Sequence, residues 1–233
     1  MPAPRGETVA VAGGTGALGH GLALRLAAAG LAVRLGSRDP AAAVTKAVEV
    51  ADAVPGADVV GARNEEAVAG AALVVLAVPF AAHAATLKRL AKVVEDGQVV
   101  LDTTVPLATA VGGRPTRLLG VPQGSAAEQA RELLPARVEV VAGLHSVAAA
   151  SLADLDHELD EDVLLCGDDA GALDVVAQVV GRVPGLRPVA CGTLTLAHSL
   201  EALTPLVISV NVRHKVRAGI ALRGLGVPAS SAA

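Results

Sequence analysis

The sequence predicts a doubly wound α/β fold, with a mainly parallel sheet and a small C-terminal lobe that passes from α/β to helical. Two observations carry this prediction. Short Val-rich runs alternate with Ala- and Leu-rich stretches of helical length. The runs are apolar throughout instead of alternating, as strands covered on both faces must be, and helical crossovers between such strands give parallel pairing.

The elements follow in order. An apolar strand at 8–12 runs into a glycine-rich turn and a helix at 16–29, then a strand at 31–35 and an Ala/Val helix at 40–54. The alternation repeats with strand 57–61, helix 65–71, strand 72–78, helix 81–94 and strand 98–101, where Pro79 stands ready to start its helix. From 108 to 123 the chain collects Gly112, Gly113, Pro115, Gly120 and Pro122 with Arg114 and Arg117, the composition of a surface loop. Helix 125–133 and strand 137–142 complete a first domain, 1–150. A second block, 151–233, holds strand 163–166, helix 170–183 capped by Asp168 or Asp169, strand 186–190 and a last helix at 194–222 that contains Pro205.

Composition narrows the function classes. The 233 residues include one Phe and no Trp or Tyr, so the core is built from Ala, Val and Leu. A formal charge of -4 with 18% charged residues and no long basic run excludes the electrostatic footprint of a nucleic-acid binder. Mean hydropathy is +0.55, yet the most apolar uncharged stretch, 67–87, is interrupted by Gly70 and Pro79 and divides into a helix end, a strand and a second helix instead of a membrane span. Residues 1–6 lack a signal-peptide pattern. Cys166 and Cys191 are too few and too far apart for a disulfide framework or zinc ribbon, and read as reduced packing thiols of a cytoplasmic protein. No Cys/His spacing suggests a metal.

The glycine turn carries the chemistry. Gly14-x-Gly16-x-x-Gly19 lies between the first strand and its helix, where Gly14 permits the tight turn, Gly16 lets a pyrophosphate approach the backbone, and Gly19 lets helix pack on strand. The helix N-terminus adds free N–H groups and the positive end of its dipole. This makes the fold Rossmann-type and the ligand a dinucleotide. About twenty residues on, where NAD enzymes carry an acid for the ribose hydroxyls, stand Ser37 and Arg38. A hydroxyl and a guanidinium fork suit a 2′-phosphate, so NADP(H) is favoured over NAD. Arg38 pairing with Asp39 is the bland alternative, and Lys46 reads as plain surface.

With Gly13-Gly14-Thr15-Gly16-Ala17-Leu18-Gly19 and Gly36-Ser37-Arg38 in view, the chain resembles the NADPH-dependent F420 reductases, which pass hydride between NADP(H) and a deazaflavin coenzyme. Val105-Pro106-Leu107, Gly124-Ser125-Ala126-Ala127-Glu128, Leu144-His145-Ser146-Val147-Ala148-Ala149, Cys166-Gly167-Asp168-Asp169 and Glu201-Ala202-Leu203-Thr204-Pro205-Leu206 are similar to family landmarks in family order, so the resemblance runs from about 8 to 225. It implies that Thr15, Leu18, Ser37 and Arg38 hold NADP(H), and that His145 and Thr204 border the deazaflavin of coenzyme F420. Ala42, Ala148 and Ala202 depart from residues that some members carry at these places.

The resemblance also implies direct hydride transfer between stacked rings, with no catalytic nucleophile or metal required. Val78 and Pro79, Val105 and Pro106, and the 145–149 segment with Ala148 would leave a flat slot for a planar ring, with His145 donating a hydrogen bond. On the residues alone, His145 reads as a structural histidine. A reductase of an imine or metal chelate, and a non-catalytic NADP(H) sensor, are the competing functions. The run 203–210 is too apolar all round for a free surface helix, which suggests a homodimer or burial against the same chain. Arg213, His214, Lys215 and Arg217 form a basic cluster, with 213 and 217 expected on one helix face toward the anionic tail of the coenzyme.

Overall fold

The computed structural model describes residues 8–225; the leader reading of residues 1–6 lies outside them. One sheet of eight strands has the order β3-β2-β1-β4-β5-β6-β7-β8. Its strands are β1 Thr8–Ala12, β2 Ala32–Ser37, β3 Val59–Arg63, β4 Leu73–Leu76, β5 Val99–Asp102, β6 Glu139–Ala142, β7 Glu161–Gly167 and β8 Leu186–Gly192. Every pairing is parallel except β6 with β7. The helices are α1 Ala17–Ala28, α2 Pro40–Ala53, α3 Asn64–Val68, α4 Phe80–Leu90, α5 Ala126–Leu133, α6 Ala149–Ala153, α7 Ala170–Gly181 and α8 Ala197–His214.

The continuous apolarity of the strands has a direct cause, because alternate residues enter different cores. Val9, Val11, Leu73, Val75, Val99 and Leu101 pack with α1, α2, α6 and α7, whereas Ala10, Ala12, Val74, Leu76 and Val100 pack with α3, α4, α5 and α8. Strand order reverses between β1 and its neighbours β2 and β4, which opens a crevice at the carboxyl edge of the sheet. β7 and β8 extend this same sheet, so the second block of strands forms no sheet of its own, and a boundary at 150 runs through α6.

Two sequence expectations need correction. The last helix does not run to 222: a short 3₁₀ turn, Leu194–Leu196, leads into α8, which ends at His214 with Lys215 in the left-handed region. Ala218 N–H donates to Asn211 Oδ1 at 2.7 Å, turning the chain back. Arg213 and Arg217 therefore share no helix face, and Arg217 Nη1 pairs with Asp154 Oδ2 at 2.9 Å. The second correction is α6, where the sequence predicts no element; Arg25 of α1 fixes α6 and the chain after it by donating to the carbonyls of Leu152 at 3.0 Å, Ser151 at 2.9 Å and His157 at 2.8 Å. Among the described residues no helix is long and apolar enough to cross a membrane.

Candidate functional site

The glycine turn sits at the crevice, and its glycines do different work. A Cβ on Gly14 would meet Leu35 Cδ2 at 2.3 Å and one on Gly19 would meet the Gly13 carbonyl oxygen at 2.7 Å, so both serve packing. At Gly16 the nearest atom would be the Gly13 oxygen at 3.3 Å, which leaves the exposed side of the turn for a ligand. The turn is pinned by Gly13 and Gly14 N–H groups donating to the Gly36 carbonyl at 3.1 and 2.8 Å, and by Gly13 N–H donating to Asn64 Oδ1 at 3.1 Å. Asn64 is a buried clamp that sequence reasoning missed.

Side chains cap α2 through Asp39, α5 through Ser125 and α7 through Asp169, whereas α1 has no side-chain cap and no acid in its first turn. Its leading N–H groups are free to bind an anion. At the end of β2, Ser37 is buried with its hydroxyl 3.3 Å from that of Thr15. Arg38 is exposed and makes no ion pair among the described residues, because the Asp39 carboxylate accepts instead from Ala41 and Ala42 N–H at 3.0 and 3.4 Å. Lys46 pairs with Glu49 at 2.5 Å.

Two cavities adjoin beyond the turn. The first, about 500 Å³, runs from Gly16 and Leu18 past Val78, Pro79 and Phe80 to Thr104 and Val105. The second, about 400 Å³, is lined by His145, Ser146, Ala148, Val207, Ile208 and Asn211 among others. Leu18, Thr103, Val105 and Thr204 belong to both. Thr204 Oγ1 donates to the His145 carbonyl at 2.7 Å, which locks α8 to the 144–148 segment. That segment enters through Leu144, a non-glycine residue at φ 65°.

His145 is 8% exposed, and neither ring nitrogen has a partner. Burial pushes its pKa down to about 4 against the opposing pull of Asp102 and the Thr104 backbone, so the ring is neutral at pH 7. Both nitrogens are enclosed by the surrounding chain and make no hydrogen bond among the described residues, so His145 is a buried polar ring with unmet donors and acceptors beside the second cavity. Pro106 departs from expectation: it is buried and lines neither cavity, and its carbonyl accepts from Leu119 N–H at 2.7 Å to hold the following loop.

Below the cavities lies a polar cluster without a local sequence signature. His83 Nε2 stands 2.6 Å from Asp102 Oδ2 and His83 Nδ1 stands 3.0 Å from Gln129 Oε1, while Glu201 Oε1 accepts from Ala126 and Ala127 N–H at 2.9 and 3.2 Å. Its one sequence trace is an acid ending an otherwise apolar strand, Asp102.

Comparison with known proteins agrees with this geometry. Residues 8–106, which contain the turn, β2 and the first cavity's wall, match the family described as NADP oxidoreductase coenzyme F420-dependent. The F420-dependent NADP reductase of Methanothermobacter thermautotrophicus is 40% identical over 222 residues, covering 93% of this chain and 95% of that protein. The enzyme of the same name from Methanothermobacter marburgensis is 38% identical over 221 residues, covering 93% and 98%. The chain belongs to the F420-dependent NADP reductase family.

A crystal structure provisionally named as an F420-dependent NADP reductase, from Arthrobacter sp. FB24, superposes with a TM-score of 0.75 at 28% identity, covering 91% of this chain and 96% of that one. Family membership thus extends across both cavities. In this reductase family member the stretches 77–79 and 145–149 expected to form a slot reach the paired cavities, and of 104–106 Thr104 and Val105 do so but Pro106 does not.

Proposed function

We propose that this chain transfers a hydride directly between NADP(H) and the deazaflavin coenzyme F420. The observation that carries the reading is the pair of adjoining cavities with a common wall, one beginning at the dinucleotide turn and the other ending on His145. Both coenzymes fit residues present here: Gly16 leaves room over an uncapped helix N-terminus, and His145 offers an unpartnered buried ring. When bound, the nicotinamide and the deazaflavin supply the hydride chemistry themselves.

The protein's part is to bind, orient and exclude water. Gly16 with the first N–H groups of α1 holds the pyrophosphate on a turn whose close packing Gly14 and Gly19 permit, and Thr15, Ser37 and Arg38 hold the 2′-phosphate end. Leu18, Val78, Pro79 and Val105 make an apolar slot for a planar ring. His145, Ala148 and Thr204 border the second ring, and neutral His145 donates one ring N–H toward it. The chain from 151 onward, whose strands extend the same sheet, completes this second cavity through α8. No step calls for a protein nucleophile. Mixing the purified protein with NADPH and oxidised F420 tests the reading: equal consumption of both supports it, and NADPH binding without consumption overturns it.

The free state of Arg38 gives a cofactor prediction. Arg38→Ala should weaken NADPH binding by about 1.5–3 kcal/mol, roughly 10- to 150-fold, the range for hydrogen bonds to charged groups, and leave NADH binding unchanged. Equal losses in titrations with the two cofactors would remove Arg38 from the phosphate site.

Assembly is the second expected outcome in solution. α8 buries Ala197, Leu200 and Glu201 against its own chain but leaves Leu206 61% exposed, with Val210 one turn on and also exposed. A second copy covering this row would form a homodimer, read as twice the chain mass by light scattering at micromolar concentration. Leu206→Glu should return it to the monomer; a monomeric wild type rejects the interface.

A further inference from the structure

We propose that Asp102 and His83 act as a positioning couple for the hydride transfer, one buried pair that fixes both walls of the dinucleotide-side cavity relative to each other. This rests on the function proposed above. Neither residue lines a cavity, and both side chains are 0% exposed.

Asp102 closes β5 and holds one wall. Its Oδ1 accepts from Thr104 N–H at 2.9 Å, while Thr103 Oγ1 donates to the Leu76 carbonyl at 2.9 Å, so the Thr103–Val105 wall hangs between Asp102 and the end of β4. His83 belongs to the first turn of α4, whose leading residues Pro79, Phe80 and Ala81 form the opposite wall. The Phe80 and His83 rings stack with centroids 5.9 Å apart. The 2.6 Å contact between His83 Nε2 and Asp102 Oδ2 joins the two walls.

The close contact is also electrostatically favoured. Both ring nitrogens face oxygen atoms, Asp102 Oδ2 and Gln129 Oε1, to which a protonated ring donates twice. Burial opposes that charge, but Asp102 and Gln129 outweigh it and hold the His83 pKa above its ordinary value. A fully buried ion pair is a poor device for stability alone, since apolar side chains of like volume would serve as well; what it adds is fixed geometry. Here the geometry fixed is the width of a ring slot, where a misplacement of about 1 Å is enough to cost roughly 100-fold in rate.

Asp102→Asn keeps the acceptor for Thr104 and removes the charge, and His83→Gln/Asp102→Asn replaces the couple by two neutral amides with no charge left unpaired, which protects against loss of folding in the single variant. The chain has no Trp or Tyr, so the fluorescence of bound NADPH is read without protein background. The proposal expects the double variant to bind NADPH within about threefold of wild type, to show faster local motion of the bound cofactor by time-resolved anisotropy, and to lose roughly 100-fold in kcat with little change in KM. Unchanged anisotropy, or a loss confined to KM or to melting temperature, overturns it. A wild type that immobilises NADPH but does not reduce F420 would instead overturn the proposed function and leave the anisotropy contrast standing.

Discussion

Gly16→Val is expected to abolish dinucleotide binding while the protein remains folded. The backbone at Gly16 has φ -75° and ψ 162°, extended values open to any residue, and a Cβ there would approach the Gly13 oxygen at 3.3 Å and the Ala77 oxygen at 3.8 Å, contacts that a small adjustment relieves. The two methyl groups of valine would project over the uncapped N-terminus of α1, into the space assigned to the pyrophosphate. Loss of that approach should cost NADPH at least about 3 kcal/mol, roughly 100-fold or more. A fluorescence titration measures the binding, and thermal unfolding within a few degrees of wild type checks the fold. Retention of NADPH binding within a few-fold would place the pyrophosphate elsewhere. Gly14→Val should behave oppositely, because its side chain enters the space of Leu35 and strains the core first.

Glu201→Gln should stabilise the protein at neutral and alkaline pH. Glu201 is 2% exposed, and burial drives its carboxyl pKa up to about 8, assisted by Asp102 and opposed by the Ala127 and Ala126 N–H groups and by His83. In the unfolded chain the same group ionises near 4.5. Between these values the unfolded state releases a proton that the folded state keeps, so Glu201's contribution to stability falls as pH rises from about 4.5 and levels off above about 8. At pH 7 the loss is on the order of 2–4 kcal/mol. Glutamine preserves the oxygen that accepts from both N–H groups at the start of α5 and cannot ionise. The variant and wild type should therefore unfold alike in urea at pH 4 and diverge progressively toward pH 8, and taking the difference cancels the titration of other groups. A constant difference across that range would show that Glu201 is ionised when folded. Glu201→Ala, which strips the acceptor from Ala126 and Ala127, should be less stable than Glu201→Gln at every pH.

The sequence by itself determined the sheet, the glycine turn and the polar end of β2, because each follows from a requirement met by neighbouring residues. A strand covered on both faces must be apolar at every position, Gly16 must leave an approach to a helix N-terminus, and Ser37 and Arg38 must stand where β2 ends. Helix ends were less legible: nothing local at 215 announces a stop, and α8 ends there because Asn211 captures Ala218 and Asp154 captures Arg217. Only the tertiary structure decided the states of the buried ionisable groups. His83, Asp102, Gln129 and Glu201 come from α4, β5, α5 and α8 and have no spacing in common, so their meeting is invisible along the chain. His145 reads on its own residues as a structural histidine, yet the folded chain leaves both its nitrogens unpartnered beside a cavity. The reason is physical: conformational preference and dipole act over a few residues, whereas desolvation depends on every element packed around a group.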